Sequence, residues 1–324
     1  MRLSTSDKCL IATPLLHLPK VRQFVQLHSR FFEINEDITY DNLNSFLSSR
    51  NDIRAILVNP NAQGFVIDHK ILSESNLQCI NTCSTGLNHI DQKSCKDLNI
   101  KIFSLKNDYS LINNLPSTSE LAFGMMLGLF RNYSQCNQAV LRHDWNYKSV
   151  MGHQLEEASI GVLGYGRLGK IFCRQLSGFN VNVSVCESSP DVLVPSNFKR
   201  VTIEKLFSQS DAVAIHIHST PENKGIINSD LLSKAKRGMY LINTSRGDLV
   251  DEETIAEMLK SSALGGYATD VLATEFSRIE DSPVLKLHQE GRHNIIITPH
   301  VGGMTFEGQE KAYLHALSKF DYHD

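Results

Sequence analysis

Strand-like and helix-like segments alternate along almost all of this chain of 324 residues, and that alternation limits its fold more than any other feature. Short apolar runs such as IRAILV (53–58) and GMYLIN (238–243) predict buried strands, and segments with helical periodicity lie between them. Strands that alternate with helices pair in parallel, because each helix carries the chain back to the start of the next strand. The sequence therefore predicts an α/β protein.

The predicted strands form two groups, separated by one long apolar helix. Four candidates lie in the first third of the chain and six follow Ala158: CLIATPLL, IRAILV, LQCINTC and IKIFSL, then SIGVLG, VNVSVC, AVAIHI, GMYLIN, GGYATDV and IIIT. The helix is predicted to begin near Ser117, which has capping-box spacing to Glu120. Six strands with helices between them are typical of a doubly wound nucleotide-binding sheet, so we predict a domain boundary near residue 110.

Composition and charge exclude several classes of protein. With 41% hydrophobic residues the chain can bury two cores of ordinary size, and its net charge of −3 gives no reason to expect nucleic acid or an anionic membrane as a partner. No apolar run reaches membrane-spanning length, and Asp7 and Lys8 interrupt the segment where a signal peptide would be apolar. The seven cysteines are scattered without a C-x-x-C pair, so we expect reduced thiols in the cytoplasm and no metal site.

A glycine motif follows the first strand of the second group. SIGVLGYGRLGK has G-x-G-x-x-G spacing at Gly164, Gly166 and Gly169, between an apolar strand and a helix-like segment. Such glycines allow a tight turn, close approach of the backbone to a pyrophosphate, and packing of the helix on the strand. Glu187 ends the next strand, where a carboxylate can accept hydrogen bonds from the adenosine ribose and repel a 2′-phosphate. The motif predicts NAD as cofactor; the alternative is a glycine turn with an incidental surface glutamate.

Charged residues stand at or just after the ends of three further predicted strands. Arg246 follows MYLIN, Asp270 ends the strand in GGYATDV with Glu275 five residues later, and His300 follows IIIT in the stretch NIIITPHVGG. Ligands of open α/β sheets bind outside the carboxyl ends of strands, so these side chains are predicted to share one cleft. A guanidinium there can bind a carboxylate or carbonyl, and a carboxylate beside His300 would stabilise its imidazolium for acid–base work. Taken singly, each has a simpler interpretation: a solvated arginine or acid, or a histidine that caps a strand end.

These motifs, in this order, resemble the D-2-hydroxyacid dehydrogenases, whose members include phosphoglycerate, glyoxylate/hydroxypyruvate, formate and phosphite dehydrogenases. The resemblance covers most of the chain and is clearest from about residue 83 to 305. It is carried by six stretches: STGLNHID, STSELAFGMMLGLFRN, IHIHSTPENKGIIN, LINTSRGDLVDEE, GGYATDV and NIIITPHVGG.

The resemblance implies two Rossmann-like domains with doubly wound parallel sheets, in which the cofactor domain is inserted into the substrate domain. A flavodoxin-like substrate-binding domain would comprise residues 1–109 and 301–324, and the NAD-binding Rossmann domain residues 110–300. It also implies a homodimer built on the region of the long helix.

The resemblance further implies a role for each matching residue. His300 would be the general acid/base, Glu275 would support it, and Arg246 would bind and polarise the substrate. The substrate carboxylate would be held by a loop of three residues: Ser84, Thr85 and Gly86. The residues expected around the cofactor are Gly164, Gly166, Arg167, Leu168, Gly169, Glu187, Thr220, Thr244, Asp270 (near the nicotinamide carboxamide) and Gly302.

The activity expected from the resemblance is NAD-dependent hydride transfer between a small D-2-hydroxy acid and its 2-keto acid. Two alternatives stay open on the sequence: an NAD(H)-responsive, corepressor-like binding protein, and oxidation of phosphite in the same cleft. The chain also departs from the family pattern, with Phe276 where proline usually follows the catalytic glutamate and His218 where proline is common. The sequence does not identify which 2-hydroxy acid would be the substrate.

Overall fold

The computed structural model of the chain describes residues 6–36, 38–59, 64–275, 277–291 and 293–320. Contacts divide the chain into two compact units: unit 1 comprises Met1–Leu115 and Gly303–Asp324, and unit 2 comprises Pro116–Gly302. Each unit is built on one parallel sheet, which confirms the predicted α/β class with two such sheets. Phe276 lies outside the described residues. Within those residues, no helix is long and apolar enough to cross a membrane.

Unit 1 has a five-stranded parallel sheet in the order β2-β1-β3-β4-β5. Its strands are β1 Lys8–Ala12, β2 Phe32–Ile34, β3 Ile53–Val58, β4 Cys79–Thr82 and β5 Lys101–Phe103. Its helices are α1 Pro19–Leu27, α2 Tyr40–Ser48, α3 His69–Ser73, α4 Gln92–Asp97, α5 Tyr109–Ile112 and, after unit 2, α13 Phe306–Leu317.

Alternate residues of the unit 1 strands enter two different hydrophobic clusters, one on each face of the sheet. Cys9 and Ile11 of β1 belong to the cluster that contains apolar residues of α1 and α13. Leu10 and Ala12 belong to the cluster that contains residues of α2 and α3. Successive side chains of a strand point to opposite faces, so an apolar run such as CLIA is what a sheet covered on both faces requires.

Unit 2 has a seven-stranded parallel sheet in the order β12-β11-β10-β9-β6-β7-β8. The strands are β6 Ser159–Leu163, β7 Asn182–Cys186, β8 Lys199–Arg200, β9 Ala212–Ile215, β10 Met239–Asn243, β11 Leu264–Thr269 and β12 Ile295–Ile297. The helices are α6 Ser117–Phe130, α7 Tyr133–Leu141, α8 Arg167–Leu176, α9 Ile203–Gln209, α10 Ser229–Leu232, α11 Glu252–Lys260 and α12 Pro283–Gln289. Short 3₁₀ turns occur at Tyr147–Ser149, Gly247–Leu249 and Ile279–Asp281.

The strand order of unit 2 reverses direction at β6. The chain moves outward from β6 to β7 and β8, then returns to the other side of β6 with β9 and continues to β12. Such a reversal leaves a crevice at the carboxyl ends of the two central strands, where open α/β sheets bind ligands. The glycine motif that begins at Gly164 follows β6 directly and therefore lies at this switch point.

Three details of local structure differ from the sequence expectations. The strands β2 and β8 were not predicted: β2 has only three residues, and both residues of β8 are exposed. Helix α6 begins with Ser117 as its first residue and with Pro116 at the N-cap position, so Ser117 is not the N-cap residue that the capping-box spacing predicted. The Glu120 N–H donates to the Pro116 carbonyl (3.0 Å).

Candidate active site

The glycine turn after β6 needs small residues at two positions and leaves a third one open. Gly164 has a φ of +96°, and a Cβ there would lie 2.7 Å from the His216 carbonyl oxygen. A Cβ on Gly169 would lie 2.1 Å from the Gly164 carbonyl oxygen. At Gly166 an added Cβ would meet nothing within 4 Å, so this position faces open space immediately before α8 begins. This is the division of roles that a pyrophosphate-binding turn requires.

The Glu187 carboxylate joins the glycine turn to the end of β7. Its Oε2 accepts a hydrogen bond from the Tyr165 N–H (2.8 Å), and its Oε1 accepts one from the Ser189 N–H (2.9 Å). Each carboxylate oxygen can accept a second hydrogen bond, so ribose hydroxyls could still be bound. Arg200 holds the same loop, because its Nη2 donates to the carbonyl oxygens of Glu187 (2.7 Å) and Ser189 (2.6 Å). Sequence reasoning missed Arg200, which lies on the unpredicted strand β8.

Four further residues expected near the cofactor follow three neighbouring strands: Arg167 and Leu168 lie at the start of α8, after β6, and Thr220 and Thr244 follow β9 and β10. Arg167 is the first residue of α8, and burial lowers the pKa of its guanidinium. The Leu168 carbonyl accepts a hydrogen bond from the Ser119 hydroxyl (2.9 Å), and the exposed Thr220 donates its N–H to Asn223 Oδ1 (2.7 Å).

The Thr244 hydroxyl, just after β10, is buried, and none of the described residues makes a hydrogen bond with it. A buried hydroxyl of this kind requires a partner. Together with the open Gly166 and the spare lone pairs of Glu187, it fits a dinucleotide such as NAD. No group of three or more His, Cys, Asp or Glu side chains is suitably placed to hold a metal ion within the described part of the chain.

The His300 side chain is held by Glu275 and its backbone by the end of β11. His300 Nδ1 lies 3.1 Å from Glu275 Oε2, and the Glu275 side chain is only 14% exposed. The His300 N–H donates to the carbonyl oxygens of Asp270 (2.9 Å) and Thr298 (3.0 Å). The backbone of His300 is in the left-handed region, with a φ of +54°. A histidine ring held by a carboxylate is the arrangement needed for a general acid/base.

Asp270 fixes the segment that follows His300. Its Oδ1 accepts a hydrogen bond from the Val301 N–H (2.8 Å) and its Oδ2 one from the Gly302 N–H (2.7 Å). Burial raises the pKa of the Asp270 carboxyl group, although these hydrogen bonds and one from the Thr298 hydroxyl oppose that effect. A Cβ on Gly302 would lie 3.0 Å from Asp270 Oδ2, so this position suits glycine. In this structure Asp270 thus supports the His300 loop.

Arg246 lies after β10 and next to the loop that carries Glu275. Its Nη1 donates to the Ser245 carbonyl (2.6 Å), and Asn243 Nδ2 donates to the Arg246 carbonyl (2.9 Å). Among the described residues it forms no salt bridge, so its charge is not neutralised by a neighbouring carboxylate. The next residue, Gly247, is so close to the Glu275 loop that a Cβ would lie 2.1 Å from the Leu272 carbonyl carbon. Three adjacent strands, β10, β11 and β12, therefore supply the charged residues.

In unit 1, a hydrogen-bonded chain of side chains holds the loop of Ser84, Thr85 and Gly86. The Ser84 hydroxyl donates to the Gly86 carbonyl (2.7 Å) and lies 3.1 Å from Thr82 Oγ1. Thr82 Oγ1 in turn lies 3.0 Å from His89 Nε2. His89 is buried, and this burial lowers its pKa to about 4, so its ring is neutral near pH 7. Thr82 and His89 were not among the predicted site residues, although the motif STGLNHID contains His89.

Comparison with known proteins identifies the family. Residues 123–302 match the family described as D-isomer specific 2-hydroxyacid dehydrogenase, NAD binding domain. The chain belongs to this family. The matched region is an NAD-binding domain, and it contains the glycine turn, the Arg246 segment and the loop from Asp270 to Gly302.

Individual relatives of this chain agree with that assignment. It is 33% identical to a 2-hydroxyacid dehydrogenase homolog of Zymomonas mobilis over 68% of this chain and 65% of that relative. It is 31% identical to the D-3-phosphoglycerate dehydrogenase of Haemophilus influenzae over 72% of this chain and 56% of that enzyme. The matched part of the chain thus spans less than two thirds of the length of these curated relatives.

A solved structure extends the likeness to nearly the whole chain. The crystal structure of NAD-dependent formate dehydrogenase from Staphylococcus aureus in complex with NAD has a TM-score of 0.79 and 26% sequence identity, and the match covers 96% of this chain and 93% of that one. The two-unit α/β fold is therefore that of a solved relative that binds NAD.

Proposed function

We propose that this family member interconverts a small D-2-hydroxy acid and its 2-keto acid with NAD, and that His300 is the acid/base. The observation that carries the proposal is the 3.1 Å contact between His300 Nδ1 and Glu275 Oε2 in a family NAD-binding domain. A carboxylate beside one ring nitrogen orients the imidazole and stabilises its protonated form. The second ring nitrogen, Nε2, then exchanges a proton with the substrate oxygen.

Two residues of the chain would have separate roles in the reaction. In oxidation, His300 takes the proton of the C2 hydroxyl; in reduction, protonated His300 gives it to the carbonyl oxygen. Arg246 stabilises the negative charge that develops on that oxygen. Bound NAD supplies the redox chemistry, since it accepts the hydride from C2 or, as NADH, returns it. The proton and the hydride leave from the same CH–OH group, so the reaction is balanced.

The loop of Ser84, Thr85 and Gly86 would bind the substrate carboxylate with its backbone amides. Support for this role comes from the hydrogen bonds that fix the loop, between the Ser84 hydroxyl and the Gly86 carbonyl and between Ser84 and Thr82. A loop that is already ordered loses little conformational entropy when it binds an anion.

We also propose that the protein acts as a homodimer. Support comes from a segment of unit 2, residues 133–151, that carries several exposed large apolar side chains. They are Tyr133, Val140, Leu141, Trp145, Tyr147 and Met151. Large apolar patches are rare on monomeric soluble proteins, so the concentration of these exposed side chains in one segment favours an interface there.

A panel of 2-keto acids tests the activity. NADH and NADPH oxidation would be followed with glyoxylate, pyruvate, hydroxypyruvate and larger 2-keto acids, and NAD reduction with phosphite. We expect turnover of at least one keto acid with NADH, and a loss of about 10²–10⁴ in kcat when His300 is replaced by Gln, with NADH binding retained. Tight NADH binding without any turnover would favour the corepressor-like alternative. Turnover of phosphite alone would favour the inorganic substrate.

A further inference from the structure

A single buried carboxylate, Glu252, binds both ends of the loop that carries Glu275. Glu252 is the first residue of α11 and is only 6% exposed. Its Oε1 accepts a hydrogen bond from the Ala273 N–H (2.7 Å), and its Oε2 accepts one from the Ser282 hydroxyl (2.6 Å). Ala273 lies two residues before Glu275, and Ser282 lies seven residues after it.

The buried environment of Glu252 favours these two hydrogen bonds. A buried carboxylate is costly unless hydrogen bonds satisfy it, and no Lys or Arg among the described residues forms a salt bridge with Glu252. Its position in the first turn of α11 is favourable for a negative charge. The Ser282 hydroxyl also accepts from the Leu285 N–H (3.2 Å) and so caps α12. The Glu252 carboxylate therefore links the first residue of α11 to Ser282, the N-cap residue of α12, and also binds Ala273 in the loop.

The other side of the same loop rests on the segment after Arg246. A Cβ on Gly247 would lie 2.1 Å from the Leu272 carbonyl carbon and 2.3 Å from the Ala273 nitrogen. Ala273, the residue that Glu252 binds, is thus also the residue that contacts Gly247. The loop is fixed between a buried carboxylate and the backbone beside Arg246, and Glu275 follows within two residues of this point.

We propose that Glu252 is a positioning residue that holds the Glu275 carboxylate against His300 Nδ1. This inference rests on the proposed function, in which Glu275 supports the acid/base. Coulomb energy falls with distance, and a misplacement of about 1 Å in a reacting site can cost about 10²-fold in rate. Two carboxylates adjoin His300: Glu275 contacts the ring, and Asp270 binds the backbone of the residues after it. Loss of Glu252 leaves Asp270 in place and releases Glu275.

Two substitutions at Glu252 and one matched control test this role. Glu252→Ala removes both hydrogen bonds, whereas Glu252→Gln keeps an acceptor for the Ala273 N–H and an amide that can donate to Ser282. Glu253→Gln is the control, because Glu253 is the next residue of the same helix and is exposed. We expect Glu252→Ala to lower kcat/KM for the keto acid by up to about 10²-fold. Glu252→Gln should recover most of it, and NADH affinity should stay within about twofold in all three.

The titration of His300 separates positioning from mere stability. Ring proton shifts of His300, assigned by their loss in His300→Gln, would be followed by NMR against pH without substrate. When the imidazolium loses its carboxylate, its titration midpoint should move to lower pH. We expect this shift in Glu275→Gln and Glu252→Ala, a smaller shift in Glu252→Gln, and none in Glu253→Gln. The double variant Glu252→Gln/Glu275→Gln should titrate as Glu275→Gln does, since both changes act through one contact.

Several outcomes would overturn the role of Glu252. If the folded Glu252→Gln and Glu252→Ala enzymes keep both the wild-type His300 midpoint and kcat/KM, and lose only thermal stability, Glu252 is structural. If Glu252→Ala does not fold, Glu252→Gln alone decides, because a midpoint equal to that of Glu253→Gln contradicts positioning. The NMR measurement needs no turnover. A wild-type protein that reduces no keto acid but shows these shifts would therefore refute the proposed function and leave the positioning role intact.

Discussion

His300 combines a constrained backbone with a held side chain. A φ of +54° costs a non-glycine residue on the order of 1 kcal/mol or more. The His300 N–H bonds to two carbonyl oxygens, and Asp270 binds the N–H groups of Val301 and Gly302, so the surrounding contacts maintain this conformation. For the proposed role as acid/base, a ring that is held on a fixed backbone and oriented by Glu275 would need little rearrangement to reach the substrate oxygen.

Substrate binding by Arg246 is expected to require the planar guanidinium group with its fixed N–H donors, and not only the positive charge. In Arg246→Lys the charge is kept, but a point charge on a flexible stem cannot bind two oxygens in a fixed geometry. We expect kcat/KM for the keto acid to fall by about 10²–10³-fold, as when one donor to a developing oxyanion is removed, with NADH affinity little changed. Steady-state kinetics and fluorescence titration with NADH measure the two quantities. Arg237→Lys, at an exposed position, is the control; near wild-type kcat/KM in Arg246→Lys would mean that Arg246 does not bind substrate.

His89 is expected to make the protein less stable in acid. Burial lowers its pKa to about 4, whereas an unfolded histidine titrates near pH 6.5. Between these values the unfolded chain binds a proton that the folded protein does not, so the free energy of unfolding falls as the pH is lowered from about 6.5 to 4. The contribution is on the order of 1–3 kcal/mol.

Urea unfolding at a series of pH values measures this contribution. His89→Gln should give a flatter decrease of the unfolding free energy between pH 6.5 and 4.5 than the wild type. His153→Gln, in which an exposed histidine is replaced, should follow the wild-type curve. The interpretation of His89 would be wrong if all three curves had the same slope.

At the scale of elements, the carboxyl end of β7 and the turn after β6 act as one unit. The Glu187 carboxylate accepts hydrogen bonds from the N–H groups of Tyr165 and Ser189. Arg200 of β8 holds the loop after β7 by donating to the Glu187 carbonyl. Any ribose bound at this place would meet a carboxylate that is already oriented. A 2′-phosphate would meet its negative charge, while the nearby arginine is occupied by three carbonyl oxygens.

We therefore expect the enzyme to prefer NADH to NADPH by at least about tenfold in kcat/KM, since like charges this close cost more than about 1.4 kcal/mol. Glu187→Ser combined with Ser188→Arg should reverse the preference, because repulsion is removed and a phosphate partner is added. Ser188→Arg alone is the control that keeps the carboxylate. The cofactor prediction fails if the wild type uses NADPH as well as NADH.

The sequence predicted elements that a local pattern encodes and missed those that depend on distant partners. Short segments rich in apolar and β-branched residues identified ten of the strands, and the glycine spacing identified the turn at the switch point. The short β2 and the exposed β8 exist because they pair with β1 and β7, which no local pattern records. Glu252 has the sequence position of a solvated acid at the start of a helix, but it is buried, and its hydrogen-bond partners, Ala273 and Ser282, lie more than 20 residues away in the chain.

At the scale of the whole molecule, unit 1 is completed by the last helix of the chain, α13. The Thr13 hydroxyl lies 2.7 Å from the Tyr313 hydroxyl, and Asn81 Nδ2 donates to the Ala316 carbonyl (2.6 Å). One face of the unit 1 sheet is covered partly by α13, which follows all of unit 2 in the chain. Loss of α13 would expose that face, whereas the sheet of unit 2 is continuous in sequence.

The exposed segment of residues 133–151 leads to a prediction about assembly. Trp145 is 88% exposed, and Leu141 lies close to it in sequence at the end of α7. Such surface is costly in water, and burying it against a second copy would recover about 25 cal/mol per Å² of apolar area. We expect the wild type at micromolar concentration to have about twice the 36.3 kDa mass of one chain in light scattering.

Charged substitutions in this segment distinguish a specific dimer interface from non-specific association. Leu141→Asp combined with Trp145→Asp should give a folded monomer with an unchanged circular dichroism spectrum, because a buried carboxylate without a partner is costly. Leu193→Asp is the matched control: Leu193 is 87% exposed in the same unit but lies outside the segment, so this variant should stay dimeric. A wild type that sediments as a monomer would contradict the homodimer, and a double variant that remains dimeric would place the interface elsewhere.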